Sequence, residues 1–266
     1  MSIIDYTEYL MRVNNPNHRT VLSKSGLATV TGRMHSLWTA APLAGASPSV
    51  PIAPNNLTVG ALPFIGSLGV QRIAQVEATS SVRNTVVICD RLSHQGSLFG
   101  TVIGEQFTNL PTAVLTRYTD GMGVMAALEI YVAVGATPTT ATVTYTNHLG
   151  ISGRVAPLTV FGSADFNAST RFIILPLADG DRGTRSVENV ILSASTGTAG
   201  NFGVTLFKPL FAFPIPMSGP QMVFDSMLGM CGNAPQVFNN ACLFAIVVSS
   251  TIALGEIDAV INIIEE

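Results

Sequence analysis

The chain has 266 residues, 47% of them hydrophobic and only 11% charged, with a net charge of -3 at pH 7. That length gives one large or two modest domains, and that charge excludes bulk attraction to nucleic acid or to an anionic membrane. The 13 Lys and Arg residues form no basic stripe, and beyond Arg185 only Lys208 remains, so the C-terminal part is acidic and apolar. The start, MSIIDYTEYLMRV, lacks the basic opening and long apolar run of a secretion signal. No window reaches the roughly 18 uninterrupted apolar residues of a membrane span.

In chain order, Ile3 to Val13 places Ile3, Tyr6, Tyr9, Leu10 and Val13 near a three-four spacing, which predicts one short helix. A helix that short needs a surface to lie on, its own domain or a neighbouring subunit. After a polar extended section, Thr39 to Asn56 carries Pro42, Pro48, Pro51 and Pro54. Proline removes ladder donors and fixes φ, so this run is expected to be an extended, polyproline-like arm. Trp38 stands just before it, either as an anchor in a neighbour's pocket or as a core residue of its own domain.

The β pattern begins at Leu57. Val70 to Ser80 leaves strand and short helix in competition, and Arg83 to Asp90 is a buried-strand run with a loop predicted at Arg91 to Gly96. Shorter strands are expected at Phe99 to Phe107 and Ala113 to Leu115. The strongest signal is Gly123 to Val134 followed by Ala141 to Thr146, read as two strands joined by the turn GATPTT, Gly135 to Thr140, with Gly135 and Pro138 as breakers. In the first, Val124, Ala126, Leu128, Ile130, Val132 and Val134 share one face, and Met125, Ala127, Glu129, Tyr131 and Ala133 the other. In the second, Thr142, Thr144 and Thr146 oppose Ala141, Val143 and Tyr145. Further strands are expected at Leu158 to Phe161, Thr170 to Leu177, Val187 to Ser195 and Phe202 to Phe207. About eight strands between Val82 and Phe207, separated by Gly-rich turns, predict an all-β, jelly-roll-like antiparallel sandwich. Lys208 to Pro220 reads as a proline-broken connection, Gln221 to Met230 as a helix, and Leu243 to Ser249 with Ile257 to Ile264 as a strand pair. The expected organisation is a helix and arm over 1-56, a sandwich over 57-210, and a C-terminal β-rich segment over 211-266 that packs on the sandwich or on a neighbouring subunit.

The residues that carry chemistry elsewhere form no catalytic constellation here, and no enzyme activity, cofactor or metal site is expected. His18, His35, His94 and His148 are far apart with no HxH or HExxH spacing. Cys89, Cys231 and Cys242 show no CxxC pair and are expected as small buried hydrophobes in a reducing compartment. Asp179-Gly180-Asp181 lacks the third acidic ligand and terminal Glu of a calcium loop and is expected to be a turn. Glu129, mid-strand among apolar neighbours, needs a partner, and Arg117, Arg154 and Arg171 are the candidates.

Several runs together carry a family likeness: LWTAAPLAGASP, ICDRLSHQGSLFGT, LPTAVLTRYTDGMGVMAALEIYVAVG, VTYTNHLGISGR and LPLADGDRGTRSVENVILSASTGTAGNFGVTLFKPL. From Leu37 to Leu210 the chain resembles structural proteins from the virion modules of tailed bacteriophages. The resemblance implies a capsid decoration or cement protein, made in the bacterial host cytoplasm and placed on the head surface of the virion. The alternative is a tail, collar or baseplate component, including a receptor- or carbohydrate-binding β module. The implied partners are own copies in a trimer or dimer and the major capsid protein or another virion protein, with no nucleic acid, membrane or small-molecule substrate. Contacts are expected at Tyr6, Tyr9, Leu10, Trp38, Pro42, Pro48, Pro51 and Pro54.

Overall fold

The structure is a computed structural model that describes residues 6–15, 18–226 and 234–265. One helix, α1 (Tyr6–Val13), precedes β1 (Arg19–Ser25), β2 (Met34–Ser36), β3 (Gln71–Ser80) and β4 (Asn84–Leu98). Next come β5 (Gln106–Phe107), β6 (Met125–Val132), β7 (Thr139–Asn147), β8 (Arg154–Val155), β9 (Thr159–Phe161), β10 (Phe172–Ile174) and β11 (Thr184–Leu192). The chain closes with β12 (Asn201–Ile215), β13 (Met222–Asp225), β14 (Gln236–Val237), β15 (Leu243–Ser249) and β16 (Glu256–Glu265).

These strands make three antiparallel sheets: β1-β16-β3-β13, with β14 also on β3; β10-β6-β12-β4-β15-β2; and β5-β11-β7-β8, with β9 also on β7. The pairing has a simple rule once the short β14 and everything between β4 and β12 are set aside. Of the remaining eight strands, first pairs with last, second with seventh, third with sixth and fourth with fifth. A long hairpin rolled on itself pairs in that way, and the result is a jelly roll. The expected all-β sandwich is therefore present, and residues 99–200 are a second β unit inserted between the fourth and fifth strands of the roll.

Two apolar cores lie along the six-stranded sheet. The first fills the jelly roll, with Val86, Ile88, Leu243, Val247, Phe211 and Phe213 facing Leu22, Ile73, Val76, Ile257 and Ile261. The second fills the insertion, with Leu128, Ile130, Phe202 and Val204 facing Val143, Tyr145, Val187 and Val190. The long strands β4 and β12 serve both cores, and register shifts along their shared ladder let them bend from one to the other. The boundary expected at residue 210 thus falls inside β12. The C-terminal segment is also not a separate unit, since β15 joins β4 and β16 lies between β1 and β3.

Several local expectations change. Strands β6 and β7 carry the predicted faces, except that Val132 is exposed, but they do not pair. Strand β6 joins β12 and β10, β7 joins β11, and the two face each other across the second core. Likewise β15 and β16 both exist, in different sheets. Arg91 to Gly96 is not a loop but part of β4, where Arg91 is paired with Glu129 inside the sheet. Met222–Asp225 is a strand on β3 rather than a helix, and residues 227–230 of that predicted helix lie outside the described residues. Phe99 to Phe107 is strand only at β5, and Ala113 to Leu115 is not a strand.

Candidate interaction surfaces and the buried polar hub

The proline-rich segment is not held away from the body. It lies as a belt against the body, running alongside β4 beyond the stretch that pairs with β15. Ile52 and His94 exchange backbone hydrogen bonds of 3.1 and 3.0 Å, and the Gly96 amide donates to the Pro48 carbonyl at 2.8 Å. Pro54 is buried, Pro48 and Pro51 are half-buried and Pro42 is exposed. The Lys24 ammonium crosses from β1 to donate to the carbonyls of Ala40, Pro42 and Leu43 at 2.7, 2.6 and 3.1 Å. Burial lowers its pKa to about 8.

Trp38 is sealed inside its own chain. Its indole N–H donates to the Ala46 carbonyl at 3.0 Å, and its ring meets His94 and Phe244 edge-on. The Arg91 guanidinium stacks 4.3 Å from the ring centroid. Of the two readings of Trp38, the core residue is the one observed, and it is not free to anchor a neighbour. Gly45 lies so close that a methyl there would overlap the indole ring. Gly45→Ala is therefore expected to cost about 1–3 kcal/mol by overpacking, read as a lower denaturant midpoint. Tyr9 is also internal, packed with Val13, Ala74 and Ile264, whereas Leu10 is part-exposed on α1. The Tyr6 side chain lies outside the described residues.

Beneath the belt the sheet carries two buried ion pairs. Arg91 forms a bidentate pair with Glu129, and Thr205 and Tyr131 complete the carboxylate's partners. The partner of Glu129 is thus Arg91, not Arg117, Arg154 or Arg171. Sequence spacing did not reveal it because β12 lies between β4 and β6. Arg117 instead grips Asp90, donating Nε to Oδ2 and Nη2 to Oδ1, both at 2.8 Å. The same Nη2 donates to the carbonyls of Pro54 at 3.1 Å and Arg91 at 2.9 Å, while Asp90 accepts the Cys242 amide at 2.9 Å. One ion pair therefore joins four places: an insertion loop, the belt, β4 and the approach to β15. Burial raises the Asp90 pKa, and Arg117 opposes that rise.

Other candidates resolve into structural roles. Asp179 and Gly180 form the expected turn, and Asp181 accepts from Tyr145, from Asn147 at 2.7 Å and from Arg154 at 2.9 Å. These bonds, that of Tyr145 first, bring its pKa to about 2. Cys89 and Cys242 are buried free thiols with raised pKa values, chiefly through desolvation; Cys231 lies outside the described residues. Among the described residues no three His, Cys, Asp or Glu side chains gather as a metal group.

His35 is fully buried. It accepts the Val30 amide at 2.9 Å, contacts Thr170 Oγ1 at 3.0 Å, and its pKa falls to about 4 through burial, with Arg171 adding to the effect. Unfolded, it takes a proton near pH 6.5 that the fold refuses. Stability is therefore retained above pH 6.5 and lost as pH falls toward 4, by about 3 kcal/mol in all. Urea midpoints between pH 7 and 4 are expected to fall accordingly, and His35→Gln to flatten that slope.

No family model and no curated protein matches the chain. Among solved structures it is similar to the VP2 subviral particle of infectious bursal disease virus, at 10% identity over 94% of this chain and 81% of that chain, with a TM-score of 0.18. The T13 particle of the same virus gives 8% identity over 93% and 77%, also at 0.18. A superposition that poor adds nothing to the fold, which stands on its own strand pairing. What that pairing defines is an all-β, jelly-roll-like protein with an inserted β unit.

Proposed function

We propose that this chain is a structural protein of a virion, with the jelly roll as wall and the 99–200 insertion as a projection. The observation that carries the reading is the insertion of a whole β unit at one turn of an eight-strand roll. Two continuous strands and the Asp90–Arg117 hub bind it to that roll. A wall needs a rigid block whose ends are free for neighbours, and a projection needs an attachment that does not swing. Jelly rolls also serve as lectins and cupins. A sugar groove wants exposed rings, and among the described aromatic side chains only Phe99 and Phe107 are exposed. The low charge suits a surface covered largely by neighbours.

The decoration or cement role implied by the phage resemblance is the case in which this roll sits on a shell built by another protein. Electron microscopy of the purified, concentrated chain separates the two. Closed particles from the chain alone are the expected result. Binding only to preformed heads assigns the cement role, and neither outcome removes the virion reading altogether.

A further inference from the structure

The two edges of the six-stranded sheet meet. His35 on β2 bridges Arg171, which leads into β10, and the Ser36 amide donates to the Thr170 carbonyl at 2.8 Å. The six strands therefore close into a small barrel. One side of its wall is a seam between the roll, which supplies β2, and the 99–200 insertion, which supplies β10. A third apolar cluster fills the barrel. Phe172 on β10 lies 5.0 Å from Phe207 on β12 and 6.2 Å from Phe244 on β15, ring centre to ring centre, with Ala127, Cys89 and Ile246 beside them. The seam is a single bridge, whereas every other joint of the wall is a continuous ladder.

His35 occupies that weakest joint and is fully buried. Both of its ring nitrogens are committed. Nε2 accepts the Val30 amide at 2.9 Å, so it carries no proton. Nδ1 is then the N–H of the neutral ring, and it faces Thr170 Oγ1 at 3.0 Å. A second proton would have to sit on Nε2, pointing at another N–H. The charge it brings would meet a like charge on Arg171, whose guanidinium donates to the Met34 carbonyl and, at 2.7 Å, to the Asp165 carbonyl. Farther out stand Arg33 and Asp165, joined as an ion pair at 2.8 Å. Strand β15 and the turn at residues 28–31 bring no titratable side chain to the ring. His94 is buried elsewhere, against Trp38 and Tyr131.

We propose that the β2–β10 seam is an acid-released latch: a proton on His35 parts the roll from the β10 side of the insertion while the β4–β12 ladder stays closed. The closed seam holds the ring neutral down to about pH 4, and an open seam lets it take a proton near pH 6.5. Each pH unit of acidification across that window favours the open seam by up to about tenfold. Above pH 6.5 the latch is shut. Opening gives water a path to Phe172, Phe207 and Phe244. The inference concerns one joint of this chain and stands whether or not the chain builds a shell.

The test is amide hydrogen exchange on the full chain, read by nuclear magnetic resonance from pH 7 to pH 4.5 and corrected for the intrinsic rate. The Ser36 amide reports the seam, and the amides of the β4–β12 ladder report the body. Ser36 is expected to be less protected than the ladder at every pH, and its protection to fall roughly 20-fold between pH 7 and 5. His35→Gln is expected to flatten the Ser36 profile, and His94→Gln to leave it as in the parent. In the parent alone, Ser36 protection that does not change with pH overturns the latch. So does protection equal to that of the ladder throughout, which would mean that the seam opens only on global unfolding. A profile that survives His35→Gln, or one that is lost with His94→Gln, overturns the assignment to His35.

Discussion

Replacing Arg117 by methionine is expected to lower the unfolding free energy by about 3–5 kcal/mol, the cost of leaving one half of a buried ion pair behind. The loss has several sources. Asp90 keeps the Cys242 amide but loses its two charged bonds, and the carbonyls of Pro54 and Arg91 lose a donor. Asp90, already pushed up by burial, would then take a proton at higher pH. Urea unfolding at pH 7 measures the first effect. Adding Asp90→Asn is expected to recover part of the loss, because a neutral amide tolerates burial better than an unpaired carboxylate. A single-variant loss below about 1 kcal/mol, the range of exposed pairs, would show that the hub does not bind the insertion to the roll.

The second large effect is expected at Trp38. Trp38→Ala removes the ring that lies between the belt and the Arg91 guanidinium, with an expected loss of about 3–5 kcal/mol. The loss is expected to be local first. The belt is held to β4 by few backbone bonds, so hydrogen exchange at the Ile52 and Gly96 amides should accelerate before the ladder between β4 and β12 opens. Equal acceleration at all of these amides would place Trp38 in the global core instead of under a separable strap.

The sequence shows strand existence far better than strand partnership, and β6 and β7 illustrate the reason. Alternation at Val124 to Ile130 and at Ala141 to Tyr145 reports which side chains are buried, because side chains on a pleat point to opposite faces. It does not report whether two strands share a ladder or face each other across a core. Both arrangements bury the same side chains, and Gly135 to Pro138 serves as a crossing between sheets as well as it would serve a hairpin turn. Strand β4 fails for the opposite reason. The run Arg91 to Gly96 is polar although it lies in the sheet, where Arg91 pairs with Glu129, and polarity in a sequence signals a loop. The proline segment was legible as non-sheet but not as a belt. Its attachments are Lys24, Arg117 and a two-bond bridge at Ile52, distant in sequence and without local pattern. Trp38 was visible as a candidate anchor, and what it anchors is the chain's own strap.

In the proposed shell, the roll forms the wall and the insertion stands off it. A cryo-electron microscopy map of particles that contain this chain tests it most directly. Residues 19–98, 201–226 and 234–265 are expected in continuous shell density, with 99–200 outside that layer and in fixed orientation to it. A map with the insertion inside the shell and the roll projecting, or with the chain confined to a tail, would contradict it.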